Sequence, residues 1–140
     1  MRFLCAALTT ILLSACCTVP DRASATLPKD LSSAMVGWWY AGSKQGPEFM
    51  TEDCLFAADG SFQCTYYERG CAPTGLCEGE EGSYSGSWSI EGTTLHRTAS
   101  ANSLPERMPR ELQGFEHGNL LITSGEVWFR SKHCRDVSEP

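Results

Sequence analysis

The chain has 140 residues, a formal net charge of −6 and a charged-residue content of 20%. A chain of this length is long enough for one small domain. Because surfaces that bind nucleic acid are rich in lysine and arginine, the acidic excess excludes nucleic acid as an expected partner. An acidic surface keeps a protein in solution and favours a basic protein as a partner.

The first residues have the organisation of a secretory signal peptide. Arg2 supplies a positive charge, and residues 3–13 form an uncharged, mostly apolar run. A helix needs about 20 apolar residues to cross a bilayer, so this run is too short. We therefore predict that residues 1–15 are a signal peptide that is absent from the mature protein.

The end of this segment, Leu13-Ser14-Ala15-Cys16, resembles the lipobox of bacterial lipoproteins. The resemblance implies that the chain is cut before Cys16 and that acyl chains such as palmitate on this cysteine anchor it to a membrane. An ordinary signal peptide with a chance cysteine is the alternative. Lipoproteins of the inner membrane often carry Asp after the lipidated cysteine, whereas this chain has Cys17. The expected location is therefore the periplasmic face of the outer membrane.

Residues 18–34 are rich in Ser, Thr, Ala, Pro and charged residues and have no sustained apolar period. This composition is typical of a flexible linker. We therefore predict that residues 16–34 form a lipidated flexible tether and that residues 35–140 form the folded domain.

Apolar residues in this domain recur with a period of two between glycine-containing turns, as in antiparallel strands. Phe56 and Phe62 flank one predicted hairpin turn at Asp59-Gly60, and another turn lies at Glu91-Gly92. Tyr84, Trp88 and the serines between them show the clearest alternation. The predicted fold is all-β, a small antiparallel up-and-down barrel of about seven or eight strands with no long helix.

Two further turns are predicted in the C-terminal third of the chain. His117-Gly118-Asn119 marks one hairpin, and Ser124-Gly125 precedes a last strand over residues 126–130. Pro105 and Pro109 lie between the hairpin at Glu91-Gly92 and the one at His117-Gly118-Asn119, and they argue against a central strand there. Residues 103–113 are therefore predicted to form an irregular loop or a single helical turn.

Gly37-Trp38-Trp39 resembles the Gly-X-Trp element that opens lipocalins. In that family the tryptophan plugs one end of an up-and-down barrel, and the matching residue here is Trp39. The resemblance covers the opening strand and the general meander, but neither the later motifs of the family nor its C-terminal helix is found. It implies that the barrel binds a small apolar ligand near Trp39. The alternative is that Trp39 is a plain core aromatic.

Cysteine use agrees with export to an oxidising compartment. Setting aside Cys16 and the signal peptide, the cysteines are Cys17, Cys54, Cys64, Cys71, Cys77 and Cys134. Cys71 and Cys77 enclose a short segment with Pro and Gly, which makes them the best predicted disulfide. Cys54 faces Cys64 if the intervening turn has three residues and a glycine bulge, which makes them the second. Cys134 could compete for either partner, and Cys17 lies on the predicted tether.

Motifs typical of catalysis are absent, including Gly-x-Ser-x-Gly, His-Glu-x-x-His and a phosphate-binding loop. We therefore expect no enzymatic activity and no cofactor. A metal site using His133-Cys134 with His96 or His117 is the rival interpretation, but the spacing of metal-ligand pairs is missing. Four arginines are interpreted as solvated charges, namely Arg97, Arg107, Arg110 and Arg130, although an arginine in a barrel mouth could orient an anionic ligand.

Glu78, Glu80 and Glu81 lie close together just after the predicted Cys71–Cys77 loop. They form either a solvated connection or a constrained acidic loop that enters a basic cleft. Two functions therefore remain for a membrane-anchored envelope lipoprotein. The first is a lipocalin-like module that binds a small apolar ligand or serves the envelope structurally. The alternative is an inhibitor or immunity-type lipoprotein that blocks a hydrolase through residues 71–82.

Overall fold

The computed structural model describes Cys17 and residues 19–42, 46–100, 109–116, 118–123 and 125–137. The predicted signal peptide and Cys16 therefore lie outside the described residues. In the part of the chain that is described, none of the helices has the length and apolar character needed to cross a membrane.

Eight antiparallel strands of the described chain form one sheet in which each strand pairs with the next along the sequence. They are β1 Gly37–Gly42, β2 Phe49–Phe56, β3 Ser61–Cys71, β4 Cys77–Glu91, β5 Thr94–Ala99, β6 Arg110–Glu116, β7 Asn119–Ile122 and β8 Val127–Trp128. Tyr40 and Phe129 exchange backbone hydrogen bonds of 2.8 and 2.9 Å, so the first and last strands also meet. The sheet is therefore a nearly closed barrel, and the predicted all-β fold is confirmed.

In the described part of the chain, two short helices accompany the barrel. α1, Leu31–Met35, precedes β1, and its first turn is capped by Asp30, whose carboxylate accepts a 2.9 Å hydrogen bond from the Ser33 amide. α2, Lys132–Val137, follows β8 and packs on the outside of β1. The sequence did not predict α2, because six residues are too few to show a helical period.

The hairpin between β2 and β3 shows how local sequence determines the strand register. Gly60 takes a φ of +84°, which glycine adopts without strain, and the Asp59 carboxylate accepts a 2.9 Å hydrogen bond from the Ser61 amide. The Ala57 amide donates to the Ser61 carbonyl at 2.9 Å, as expected for a three-residue turn. This register places Cys54 opposite Cys64.

Aromatic side chains fill much of the barrel interior. The ring of Phe56 lies 5.5 Å from Trp88, 6.0 Å from Trp128 and 6.2 Å from Phe62, measured between centroids. All four side chains are buried. Because large rings interdigitate at these distances, they form a packed core rather than the wall of an open lumen.

The structure corrects the prediction for residues 103–113. β6 begins at Arg110, inside the segment predicted to be irregular, while residues 101–108 lie outside the described part. Pro109 directly precedes this strand, where its missing N–H interrupts no ladder. A proline therefore marks the start of β6 rather than excluding it.

The described part of the predicted tether also differs from expectation, because residues 19–34 contact the barrel. Thr26 accepts a 2.9 Å backbone hydrogen bond from Phe115 in β6, and the Asp21 amide donates to the Glu116 carboxylate at 2.7 Å. Leu31 is 7% exposed, and Cys17 is joined to Cys134 of α2 by a disulfide. The segment is thus held by hydrogen bonds and by the separate apolar residues Leu27 and Leu31, which do not produce an apolar period in the sequence.

Candidate functional site

Trp39 lies in a packed environment beside α1. Its side chain has no exposed area, and its indole N–H donates a 2.8 Å hydrogen bond to the Met35 carbonyl. The ring of Phe115 meets it edge-on at 5.4 Å between centroids. On another side the guanidinium carbon of Arg130 lies 3.8 Å from the centroid of the indole. In this arrangement the indole touches protein on several sides.

Arg130 joins the two ends of the barrel chain, in contrast to the solvated charge that we expected. Its guanidinium donates to the carbonyls of Val36 at 3.0 Å and Trp38 at 3.2 Å, and also to that of Ala34. A Cβ at Gly37 would lie 2.8 Å from one guanidinium nitrogen, so glycine leaves room for this contact. The Arg130 side chain therefore explains why position 37 of the Gly-X-Trp element is a glycine.

An ion pair lies inside the barrel between Arg97, which is 4% exposed, and Glu52, which is 8% exposed. Their closest N···O distance is 3.1 Å, and Arg97 also donates a 3.0 Å hydrogen bond to the Tyr84 hydroxyl. The same nitrogen lies 3.7 Å from the Cys54 sulfur and 3.9 Å from the Cys64 sulfur. Arg97 is therefore a buried, partnered cation, and its interpretation as a solvated charge is wrong.

The alternating sequence of β5 indicates that Arg97 is buried. Leu95, Arg97 and Ala99 stand at alternate positions, opposite Ile90, Trp88 and Gly86 of β4. Because alternate residues of a strand share a face, Arg97 has to point the same way as Leu95. Reading the period strictly, without exempting a charged residue, would have placed Arg97 inside.

Glu126 adds a second acidic group close to this ion pair. Burial raises the pKa of its carboxyl, the charge of Arg110 partly opposes the rise, and the charge of Glu52 adds to it. The interior therefore carries both signs of charge beside its aromatic core. A ligand that entered here would have to displace partners that already satisfy one another.

The structure contains the two predicted disulfides and a third. Cys54 bonds to Cys64 in the barrel interior, and Cys71 bonds to Cys77 at the end of the β3–β4 hairpin. The third bond joins Cys17 to Cys134 across 117 residues of sequence, which settles the partner of Cys134. Glu52 lies near Cys54 and Cys64, but disulfide sulfurs are not the thiolates that bind metal.

The β3–β4 hairpin extends beyond its neighbours. Its two strands pair up to Cys71 and Cys77, whereas β2 stops pairing at Arg69 and β5 stops at Gly86. We call residues 66–82 the hairpin arm, of which residues 66–69 remain paired with β2 and residues 70–82 extend past both neighbouring strands. The amide of Cys71 also donates to the Glu48 carboxylate at 3.3 Å, so the β1–β2 connection braces the arm.

Aromatic rings and a disulfide stiffen the hairpin arm. The ring of Tyr66 lies across Gly82 and that of Tyr67 across Gly79, so a Cβ at either glycine would collide with the ring. This covering of a strand glycine by an aromatic ring of the neighbouring strand stabilises the pairing of β3 with β4. The Cys71–Cys77 bond then closes its end.

The predicted acidic residues divide between the two faces of the hairpin arm. Glu80 stands opposite Glu68, and Glu78 stands opposite Gly70, so these three glutamates share one face. Glu81 points to the other face. Like charges directly opposite each other, such as those of Glu68 and Glu80, destabilise a strand pair. No described lysine or arginine forms an ion pair with the carboxylates of Glu68, Glu78 and Glu80.

Leu76 stands at the end of the hairpin arm with 74% of its surface exposed. It lies in the turn closed by the Cys71–Cys77 disulfide, where the Ala72 amide donates to the Leu76 carbonyl at 2.8 Å. The backbone at Leu76 is therefore held in place, while most of its apolar side chain is exposed. The arm thus combines an apolar end with an acidic face.

A groove of about 700 Å³ lies on the outer surface of β2, β3 and β4, beside α2. Phe49 and Tyr67 stack at 5.5 Å on one side of it. On the other side Asp53 forms ion pairs with Arg135 and, at 3.4 Å, with Lys132. Polar residues of the three strands, Thr51, Thr65, Ser83 and Glu81, also line the groove. The groove could hold a small molecule that has both an apolar face and polar groups.

Comparison with known proteins yields no relative. No family model, no curated protein and no solved structure matches the chain. The function therefore has to be argued from the side chains and their arrangement.

Proposed function

We propose that the protein is a non-enzymatic lipoprotein of the cell envelope that binds and blocks a basic protein, such as a hydrolase, through the hairpin arm. Lipid on Cys16 would hold it on the periplasmic face of the outer membrane. The observation that carries this proposal is the stiff arm, which projects from the sheet and exposes Leu76. Of the two functions considered from the sequence, this was the alternative.

The packing of the barrel interior supports protein binding over ligand binding inside the barrel. Trp39, where a lipocalin-like ligand was expected, has no exposed area and is enclosed by Phe115 and Arg130. Further along the barrel the Arg97–Glu52 ion pair occupies the interior. A ligand in the lumen would need to open this packing and expose charged groups to an apolar molecule.

The hairpin arm has the properties of a preorganised binding element. The disulfide and the two tyrosine–glycine contacts restrict its conformations before any partner is present, which reduces the entropy lost on binding. Burying an exposed leucine side chain contributes about 2 kcal/mol. The acidic face of Glu68, Glu78 and Glu80 would steer the arm toward a positively charged cleft.

Small-ligand binding remains a second candidate, favoured by the outer groove rather than by the barrel interior. Its stacked Phe49 and Tyr67 would cover the apolar face of a ligand, while Thr51, Thr65 and Ser83 would offer hydroxyls. This version of the ligand-binding function does not depend on Trp39.

A capture experiment tests the proposal. The mature protein with its disulfides formed is incubated with envelope extract, and bound proteins and small molecules are identified together by mass spectrometry. We expect one basic protein at equal stoichiometry, lost with Leu76→Ser and with Glu68, Glu78 and Glu80 all changed to Gln. Glu81→Gln is the matched control, because it removes a charge from the same arm on the opposite face.

Two results would contradict the proposal. Equal capture by the control and by the two test variants would show that the arm is not the binding element. A single small molecule in place of a protein would favour the outer groove, and Tyr67→Ala should then abolish its binding.

A further inference from the structure

We propose that the barrel lies directly on the bilayer, with the side formed by β1 and α2 in contact with lipid. This inference rests on the proposed lipidation of Cys16. It adds a membrane-contacting protein surface to the covalent anchor and gives the domain a defined orientation. The surface consists of Val19, Trp38 and Val137, and we call it the anchor face.

The Cys17–Cys134 disulfide places the anchor beside the folded domain. Cys17 is the residue next to Cys16, and consecutive Cα atoms are about 3.8 Å apart. Cys134 is 2% exposed and lies in α2, so the disulfide ties Cys17 to the body of the protein. The lipid on Cys16 therefore leaves the protein at α2 and not at the far end of a long tether.

α2 is itself held firmly on the barrel. Arg135, which follows the disulfide cysteine, is 1% exposed, and its guanidinium pairs with the Asp53 carboxylate of β2. It also donates to the Ala41 carbonyl of β1 at 3.4 Å. α2 is therefore held against β1 and β2, and Cys17 is bonded to α2.

Three exposed apolar side chains belong to the segments that adjoin the point of lipid attachment, namely the residues after Cys17, α2 and β1. Val19 is 46% exposed two residues after Cys17, and Val137 is 52% exposed at the end of α2. Trp38 is 47% exposed on the outer face of β1 and stacks on Tyr40, with 6.1 Å between the ring centroids. The Tyr40 ring in turn lies 5.9 Å from the guanidinium carbon of Arg135, so contacts lead from Trp38 to α2.

A lipid surface explains these exposed residues better than a second protein does. Tryptophan and tyrosine favour the membrane–water interface, where their rings meet acyl chains and their polar atoms meet headgroups. The acyl chains of Cys16 would bring this interface to the anchor face without any additional partner. The other large exposed apolar residues of the described chain, Met50 and Leu76, belong to the opening of the barrel and to the hairpin arm.

Tryptophan quenching by brominated lipid tests the proposal on the mature lipidated protein. The protein is reconstituted in vesicles of phosphatidylethanolamine and phosphatidylglycerol, with and without brominated acyl chains. Trp38 is the one markedly exposed tryptophan, since Trp39, Trp88 and Trp128 are 0%, 9% and 1% exposed. We expect brominated lipid to quench the emission of the natural protein and to have little effect on Trp38→Phe.

The disulfide gives a second test that does not change any apolar residue. Replacing Cys17 and Cys134 together by Ser leaves Cys16 free to be lipidated but releases the segment after it from α2. We expect this variant to float with the vesicles as before and to lose most of the Trp38 quenching. Unchanged quenching in this variant would show that the disulfide does not orient the domain.

Failure of the anchor and failure of the anchor face are distinguishable. If mass spectrometry finds no lipid on Cys16, the anchor is wrong and the orientation falls with it. If Cys16 carries lipid and the protein floats with vesicles, but Trp38 is not quenched, the anchor stands and the membrane-contact proposal is wrong. In that case Trp38 would belong to a surface that meets a protein.

Discussion

The guanidinium of Arg130 lies over the indole of Trp39, with its carbon 3.8 Å from the ring centroid. Arg130 follows β8 and Trp39 belongs to β1, so the contact spans the seam where the barrel closes. The same guanidinium donates to three backbone carbonyls at and before the start of β1. A single side chain thus connects the last strand, the first strand and the end of α1.

Arg130→Ala should lower the free energy of unfolding by about 3 kcal/mol, because it removes a cation–π contact and charge-assisted hydrogen bonds. Arg130→Lys should recover part of the loss, since an ammonium group keeps the charge without the planar fork. Equilibrium unfolding in denaturant, with disulfides intact, measures both. A loss below 0.5 kcal/mol, the usual size of a surface substitution, would show that the contact does not hold the seam.

Gly86 is the first residue of β4 that pairs with β5, and any side chain at this position would meet the β5 backbone. A Cβ at this position would collide with the Thr98 carbonyl and lie 2.9 Å from the Ala99 Cα. Gly86→Ala should therefore destabilise the protein by about 3 kcal/mol in thermal or denaturant unfolding. Gly70→Ala is the control, because nothing lies within 4 Å of its Cβ, and its stability should stay within about 0.5 kcal/mol. Equal effects of the two variants would contradict the packing at Gly86.

Glu126 should make stability fall as pH rises. Burial raises the pKa of its carboxyl above the ordinary value of 4.5, so between 4.5 and the raised value the folded protein keeps a proton that the unfolded chain has lost. Below pH 4.5 both states are protonated and the effect vanishes. Glu126→Gln should therefore gain stability relative to the natural protein at pH 7 and little at pH 4, as measured by denaturant unfolding at each pH.

Glu111 gives the opposite sign and serves as the comparison. Hydrogen bonds from the Thr93 and Thr94 hydroxyls lower the pKa of its carboxyl, so it stabilises the fold above pH 4.5 and loses this effect as pH falls through the lowered value. Glu111→Gln should thus be the less stable form at pH 7, and the difference should shrink in acid. If the stability differences between each variant and the natural protein had the same sign at pH 7, the pKa shift given for one of the two carboxyls would be wrong.

Gly114 allows the N-terminal segment to reach β6. A Cβ there would lie 2.6 Å from the Ala25 Cβ and 3.0 Å from the Thr26 nitrogen. Gly114→Ala should push this segment away, break the hydrogen bond from Phe115 to Thr26 and lower stability by about 2 kcal/mol.

Amide hydrogen exchange reads out this change locally. The Phe115 amide should exchange much faster in Gly114→Ala. The Leu112 amide, bonded to the Thr93 carbonyl at 2.9 Å in the same strand, should keep its protection and serves as an internal control. Unchanged exchange at Phe115 would mean that Thr26 does not hold this position.

Local patterns predicted the part of the fold that depends on near neighbours. The turn at Asp59-Gly60 sets the register that brings Cys54 to Cys64, and the short segment between Cys71 and Cys77 suits a local disulfide. The period of two predicted an up-and-down barrel of about seven or eight strands. The cysteines of these two disulfides lie ten and six residues apart, and each strand pairs with the next along the chain, so turn geometry and strand period are sufficient.

The partners that lie far apart in sequence were decided by the tertiary structure alone. Arg97 pairs with Glu52, Arg130 stacks on Trp39, and Cys17 bonds to Cys134 only because barrel closure brings distant strands together. Residues 19–34 contain no apolar period, and what holds them on the barrel is hydrogen bonds to β6 together with the separate apolar residues Leu27 and Leu31. The sequence by itself determined the strands and their order, since these follow from alternation and turns, whereas the contents of the barrel and the position of the chain next to the lipobox required closure in three dimensions.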